Sequence, residues 1–195
     1  LGSEALKRRL LPRMISGETI LGVAMSEPSA GSDVSGIKTR ATRDGDGWII
    51  NGSKTYISNG INGGAFVVAA RPLPGKAHGL GLFVVEEGMP GFSRGRNLRK
   101  MGLKTQDTAE LFFENVRVPA ENVLGDPERG FYQLMHFLAE ERLISACQAI
   151  SHAQVAFDIT LDYILERKAF GRPIGAFQNS RFKMAEMRTN LDVTQ

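Results

Sequence analysis

The 195-residue chain reads as an α+β protein: a small β-sandwich or barrel followed by the long antiparallel helices of a helix bundle. Three observations lead there. Eighteen of the 22 glycines fall between Gly22 and Gly130, where short β-type runs alternate with turns. From Phe131 to Phe170 there is neither glycine nor proline, and a further helical pattern follows Gly171-Arg-Pro-Ile-Gly175. Glycine-rich strands placed before glycine-poor helices give two unlike units rather than alternating βαβ repeats.

Taken in order, Glu4 to Met14 reads as a helix, with Leu6, Leu10 and Leu11 at helical spacing. Val34–Thr42 and Gly47–Asn51 read as strands flanking Asp44-Gly-Asp-Gly47, a hairpin signal. Asn51-Gly52 reads as a second hairpin turn, leading into Lys54–Ser58. Ala65–Ala70, Leu80–Val85 and Glu110–Phe113 complete the strands, at the even spacing of a sandwich or barrel. Phe131 to Phe170 predicts one helix of roughly 60 Å at the usual rise per residue. Gly171 to Gly175 ends it, and another helix begins near Gln178 and continues over Arg181 to Asp192.

Composition narrows the function classes. A net charge of +3 is spread along the chain, which suits an anionic small ligand better than nucleic acid. The densest basic run, Arg94 to Lys104, reads as a solvated loop or as a contact for phosphates or a protein partner. The lone Cys147 excludes an internal disulfide and fits a reducing compartment. His78, His136 and His152 lack metal-ligand spacing, so no metal site is expected. No apolar run is long enough to span a bilayer, and no signal peptide is present. The chain opens on Leu1 at the end of a helix and stops at Gln195 without a stop signal, as expected for the middle of a longer protein.

The most specific segment is Ala24-Met-Ser-Glu-Pro-Ser-Ala-Gly-Ser-Asp33. Ser26 and Ser32 both donate and accept, while Pro28, Ala30 and Gly31 let the backbone turn tightly against a bound group. Exposed amides at such a turn suit a phosphate or a polar heterocycle edge. This segment resembles the first signature of the acyl-CoA dehydrogenases. The resemblance continues through Asn51-Gly-Ser-Lys-Thr-Tyr-Ile-Ser-Asn59, Lys100-Met-Gly-Leu-Lys-Thr-Gln-Asp-Thr-Ala-Glu110, Glu140-Glu-Arg-Leu143, Glu166-Arg-Lys-Ala-Phe-Gly171 and Gln178. It runs from about Gly22 to the last residue and is most like the long-chain members.

The resemblance implies the end of an N-terminal helical domain over 1–18, a β domain for flavin and acyl-CoA over 19–127, and the start of a C-terminal helical bundle over 128–195. It implies FAD as cofactor, held by residues matching Val23, Met25, Ser26, Ser32, Tyr56, Ile57 and Ser58. Tyr56 stands where the family commonly has Trp; the lesser alternative is an ordinary cross-strand aromatic. Arg167, Phe170 and Gln178 match residues that reach the FAD of a neighbouring subunit, so a homo-oligomer, dimer or tetramer, is implied. The planar fork of Arg167 suits a pyrophosphate. For acyl-CoA the match points to Ser32, Lys76, Ala77, Tyr132, Ala139, Glu140, Glu141 and Arg142. Tyr132 fits only if the helix begins after it or distorts, because nine residues of regular helix separate it from Glu141 by about 180°.

Removing hydrogen from Cα and Cβ of a thioester needs a base for the α-proton and a hydride acceptor, which no side chain provides. At 100° per residue, Leu134, Phe137, Leu138 and Ser145 lie within about 60° of Glu141, whereas Glu140 sits toward Gln133 and His136. A carboxylate desolvated by such neighbours has its pKa raised toward that of a carbon-proton base. Read alone, Glu141 fits either such a base or an interhelix ion pair. The long-chain and isovaleryl types place their base immediately before this helical Arg, as in Glu141-Arg142; most other members carry it on a segment beyond this chain's end. The implied reaction is α,β-dehydrogenation of a long-chain acyl-CoA to trans-2-enoyl-CoA in fatty acid β-oxidation, with electrons passing to an electron-transfer flavoprotein. The alternatives are an acyl-CoA oxidase-like flavoprotein or a non-catalytic acyl-CoA-binding relative. The expected location is cytoplasmic in a bacterium and the mitochondrial matrix in a eukaryote, and residues 1–195 alone are expected to be inactive.

Overall fold

The computed structural model describes residues 1–72 and 79–195. They divide into two compact units, Leu1–Leu134 and Met135–Gln195.

The first unit begins with α1 (Glu4–Ile15), capped by the Ser3 side chain, which accepts from the Leu6 amide. Its buried face, Leu6 and Leu10, packs on Ala65 and Val84. The strands follow as β1 (Leu21–Ala24), β2 (Arg40–Asp44), β3 (Gly47–Ser58), β4 (Ala65–Ala70), β5 (Gly81–Glu86), β6 (Phe92–Arg94) and β7 (Thr108–Val118). One sheet has the order β1-β4-β5, with β1 parallel to β4, and the other the antiparallel order β2-β3-β7-β6. Their inner faces share one core: Ile50, Leu111, Val116 and Val118 from one sheet, and Phe66, Val68, Phe83 and Val85 from the other. Trp48 meets Phe83 edge-on across it, ring centroids 5.4 Å apart. This is the expected sandwich.

Two expected features differ. The N-terminal half of the run 34–42 is a 3-10 turn, Val34–Gly36, capped by the Asp33 side chain, and only Arg40–Asp44 is strand. Asn51-Gly52 makes no hairpin: β3 runs straight through it, and the register shift between Ile50 and Gly52 puts the extra residue on β7, which takes three steps from Val116 to Phe113 and carries Asn115 at φ 50°. Gly52 has φ 150°, and a Cβ there would sit 2.6 Å from the Thr39 hydroxyl, so glycine is required by packing rather than by a turn.

α2 (Gly130–Glu166) starts in the first unit, where Phe131 and Leu134 pack against Ala69, Leu80 and Leu82. The second unit holds the rest of α2, a hairpin of β8 (Lys168–Ala169) and β9 (Arg172–Pro173), and α3 (Gln178–Thr194). α2 stops at Glu166 rather than Phe170 because the next residues form that hairpin, turning at Phe170 (φ 53°) and Gly171 (φ 76°). Two consecutive positive φ values are what a type I′ hairpin turn demands. The helices pair within this unit through Arg188, which donates to Gln154 at 3.1 Å and lies over the Phe157 ring.

Asn122, fully buried, donates to the Val84 carbonyl (2.9 Å) and Glu86 (3.1 Å) and accepts from Arg9 of α1 (2.7 Å). Asn122→Ala removes three bonds made from a fully buried position and is expected to cost about 2 kcal/mol. A thermal melt of the complete protein then shows a first transition several degrees lower.

Candidate functional site

Within the first unit, β1 and the loop after it run beside the C-terminal half of β3. Two bonds tie them: Thr55 N–H to the Ser26 carbonyl (2.9 Å) and Asn59 Nδ2 to the Leu21 carbonyl (3.0 Å). Gly22 allows the close approach, since a Cβ there would meet the Ser58 carbonyl of β3 at 3.0 Å and, on the β4 side, the Phe66 ring at 2.7 Å. Between Lys54 and Ile57, β3 takes three steps where β7 takes two, from Leu111 to Ala109. The extra residue is Tyr56, in the left-handed region at φ 57°. For a bulky aromatic this conformation is an outlier costing on the order of 1–2 kcal/mol. Its effect is geometric. A regular strand would place Lys54, Tyr56 and Ser58 on one face. The bulge instead buries Lys54 and Ile57 and turns Tyr56, 73% exposed, outward with Ser58. The result is a ledge of Val23, Met25, Ser26, Tyr56 and Ser58. Among the described residues, none hydrogen-bonds the hydroxyls of Ser26, Ser32 or Ser58. The Ile57 side chain belongs to the sandwich core, so what it offers a ligand is its backbone.

Beneath the ledge lies a buried ion pair. Lys54 Nζ reaches Glu27 Oε1 at 2.9 Å and the Met25 carbonyl at 3.0 Å, with the two side chains 0% and 4% exposed. Glu27 also accepts from the Thr39 hydroxyl (2.6 Å), the Thr39 amide (2.9 Å) and the Lys38 amide (2.7 Å). Burial alone would raise the Glu27 carboxyl, but Lys54 and these donors hold it below the usual carboxylate value. Burial pulls the Lys54 ammonium down to about 8, against the opposing pull of Glu27. Sequence pattern alone does not single out Glu27, Thr39 or Lys54. The one available signal is a lysine at an inward position of an alternating strand.

Ser32 is exposed on the loop beyond the tight Glu27–Ala30 turn, whose two residues exchange backbone bonds of 2.8 and 3.1 Å. Lys76 and Ala77 lie outside the described residues. Tyr132 is half-exposed in the first turn of α2, which is already helical at Gly130, so the helix does not begin after it.

In the second unit Ala139, Glu140, Glu141 and Arg142 are all exposed on α2. Among the described residues the desolvation expected around Glu141 is not seen: Leu138 beside it is half-exposed and Phe137 and Ser145 are exposed. At the other end of α2, Arg167, Phe170 and Gln178 lie in and beside the β8–β9 hairpin. The Arg167 carbonyl accepts from Ile174 (2.8 Å), Phe170 is 95% exposed with its ring against Phe177, and Gln178 opens α3.

The family model for the acyl-CoA dehydrogenase middle domain matches residues 22–116, and that for the acyl-CoA dehydrogenase C-terminal domain matches 128–195. The chain belongs to the acyl-CoA dehydrogenase family. It is 47% identical to the mitochondrial long-chain specific acyl-CoA dehydrogenase of Sus scrofa over 197 aligned positions, covering all of this chain and 46% of that protein. It is 44% identical to the mitochondrial isovaleryl-CoA dehydrogenase of Oryza sativa subsp. japonica, covering 97% of this chain and 47% of that one. The crystal structure of an acyl-CoA dehydrogenase from Geobacillus kaustophilus superposes with a TM-score of 0.94 at 47% identity, over 98% of this chain and 51% of that one. The chain thus spans about half the length of the relatives it matches.

Members of the family are FAD flavoproteins of fatty-acid oxidation, typically tetrameric. The ledge fits a flavin: an outward aromatic, hydroxyls unengaged among the described residues, and backbone brought close by Gly22. Tyr56→Asn separates fold from site, because Asn tolerates positive φ. The variant is expected to melt no lower than the parent, yet to release FAD about fivefold more readily for want of a stacked ring, read by fluorescence titration of the complete apoprotein.

Proposed function

We propose that this chain forms the flavin-binding and proton-abstracting half of an FAD-dependent acyl-CoA dehydrogenase that desaturates long-chain acyl-CoA to trans-2-enoyl-CoA. The observation that carries this reading is the strained, outward Tyr56 beside Ser26 and Ser58, a conformation that costs stability and serves no core contact. When bound, FAD supplies the acceptor for the β-hydride. Ser26, Ser32 and Ser58 hydrogen-bond its polar edges, and Tyr56 covers its ring. Arg167, Phe170 and Gln178 reach the cofactor of a second subunit in the oligomer. Ser32, Lys76, Ala77, Tyr132, Ala139, Glu140 and Arg142 bind acyl-CoA, and Glu141 takes the α-proton.

Exposure of Glu141 is compatible with this role, because an acyl chain laid along Leu134 and Leu138 expels the water that solvates the carboxylate. Electrons pass to an electron-transfer flavoprotein. The location is cytoplasmic for a bacterial source and the mitochondrial matrix for a eukaryotic one. Long-chain preference is supported by the 47% identity to the long-chain relative, set against 44% to the isovaleryl one. Turnover of the complete protein on palmitoyl-CoA and isovaleryl-CoA tests it. We expect kcat/KM about tenfold or more in favour of palmitoyl-CoA, as extra buried methylenes provide. A preference for isovaleryl-CoA would overturn the chain-length assignment.

A further inference from the structure

The Glu27–Lys54 pair joins three chain segments at one buried point: the loop after β1, the stretch before β2, and β3 just ahead of the Tyr56 bulge. A buried ion pair is weak support for stability, since apolar groups of the same shape often do as well or better. What this pair does that apolar groups cannot is fix the direction of a peptide. Lys54 Nζ holds the Met25 carbonyl inward at 3.0 Å. The peptide bonds are trans, so the Ser26 N–H on the same peptide plane points the opposite way, out onto the ledge. Among the described residues no acceptor takes that N–H, while the Ser26 carbonyl is already engaged by Thr55 at 2.9 Å. Thr39 and Lys38 in turn fix Glu27, with two donors at 2.6 and 2.7 Å.

We propose that Glu27 and Lys54 are positioning residues that turn the Met25–Ser26 peptide so that its N–H is presented to an acceptor atom of the bound flavin ring. The assignment rests on the flavin reading above. The telling variant is the double substitution Lys54→Met with Glu27→Gln. Met keeps the volume of Lys, the Gln oxygen still accepts from Thr39, and no buried charge is left; the Lys38 amide loses its acceptor, a loss that Glu27→Gln alone shares, so the hold on the Met25 carbonyl is what separates the double variant from that single one.

In the complete apoprotein we expect this variant to melt close to the Glu27→Gln single variant and to bind FAD about tenfold more weakly than that variant does, with an altered visible flavin spectrum. A second measurement needs no variant: in the parent protein, amide exchange at Ser26 slows when FAD binds. The FAD affinity and spectrum of the Glu27→Gln variant in the folded double variant would overturn the positioning role, as would unchanged exchange at Ser26. A parent apoprotein that takes up no FAD would overturn the flavin reading as well, which separates the two failures.

Discussion

Replacing Glu141 by Gln in the complete protein is expected to slow reduction of the bound flavin by a long-chain acyl-CoA by about 10²- to 10⁴-fold, the usual contribution of a positioned base. Gln keeps the size of Glu and its capacity to hydrogen-bond but takes up no proton at neutral pH, so acyl-CoA still binds. The loss falls on the chemical step rather than on affinity. Glu140→Gln is the comparison. It sits one residue away on the same exposed stretch of α2 but about 100° round the helix, and as a proposed acyl-CoA contact rather than the base it is expected to change affinity while leaving the rate at saturating acyl-CoA within a few-fold of the parent. Reduction of the Glu141→Gln variant at the parental rate would move the base to a part of the protein outside this chain.

The second large effect is on stability. Glu27→Ala leaves the Lys54 ammonium buried without a counter-ion and deprives two buried donors of Thr39 of their acceptor. Breaking one side of such a pair costs about 3–5 kcal/mol, whereas replacing both sides together costs little. The single and double variants should therefore differ sharply: Glu27→Ala melts many degrees lower, and Lys54→Met with Glu27→Gln does not. Equal losses would mean that the carboxylate acts only as packing.

The sign with pH follows from the same carboxylate. Its folded pKa lies below the ordinary 4.5, so its contribution to stability is present above that value and disappears as pH falls through the folded pKa. The parent should lose melting temperature more steeply than Glu27→Gln as pH is lowered below about 4.5. Parallel profiles would count against the pair.

What was legible in the chain depended on the range over which each feature is encoded. Ala65–Ala70 appears as read, because an unbroken apolar run with both faces buried declares itself locally. The long helix and the one opening at Gln178 were set by forty residues without a breaker and by the Gly171–Gly175 punctuation. Asn51-Gly52 misleads because the same dipeptide serves a turn or an extended strand. What requires glycine there is Thr39, distant in sequence, packed where a Cβ of residue 52 would sit.

β1 and β6 went unread for a related reason. Four and three residues long, they carry too few positions to show a period, and partners distant in sequence, β4 and β7, hold them in place. The site divides the same way. Ser26, Ser32, Tyr56 and Ser58 sit in short motifs and were visible by resemblance. The strain that turns Tyr56 outward and the ion pair beneath it join residues far apart in sequence, and only the fold brings them together.

The most direct test of the account is an anaerobic titration of the complete protein with palmitoyl-CoA, following the visible absorbance of its flavin and the acyl product together. The account predicts that the flavin bleaches on addition of the acyl-CoA and that trans-2-enoyl-CoA forms in step with it. A protein that carries flavin and binds palmitoyl-CoA, yet neither bleaches nor yields the enoyl product, would contradict it.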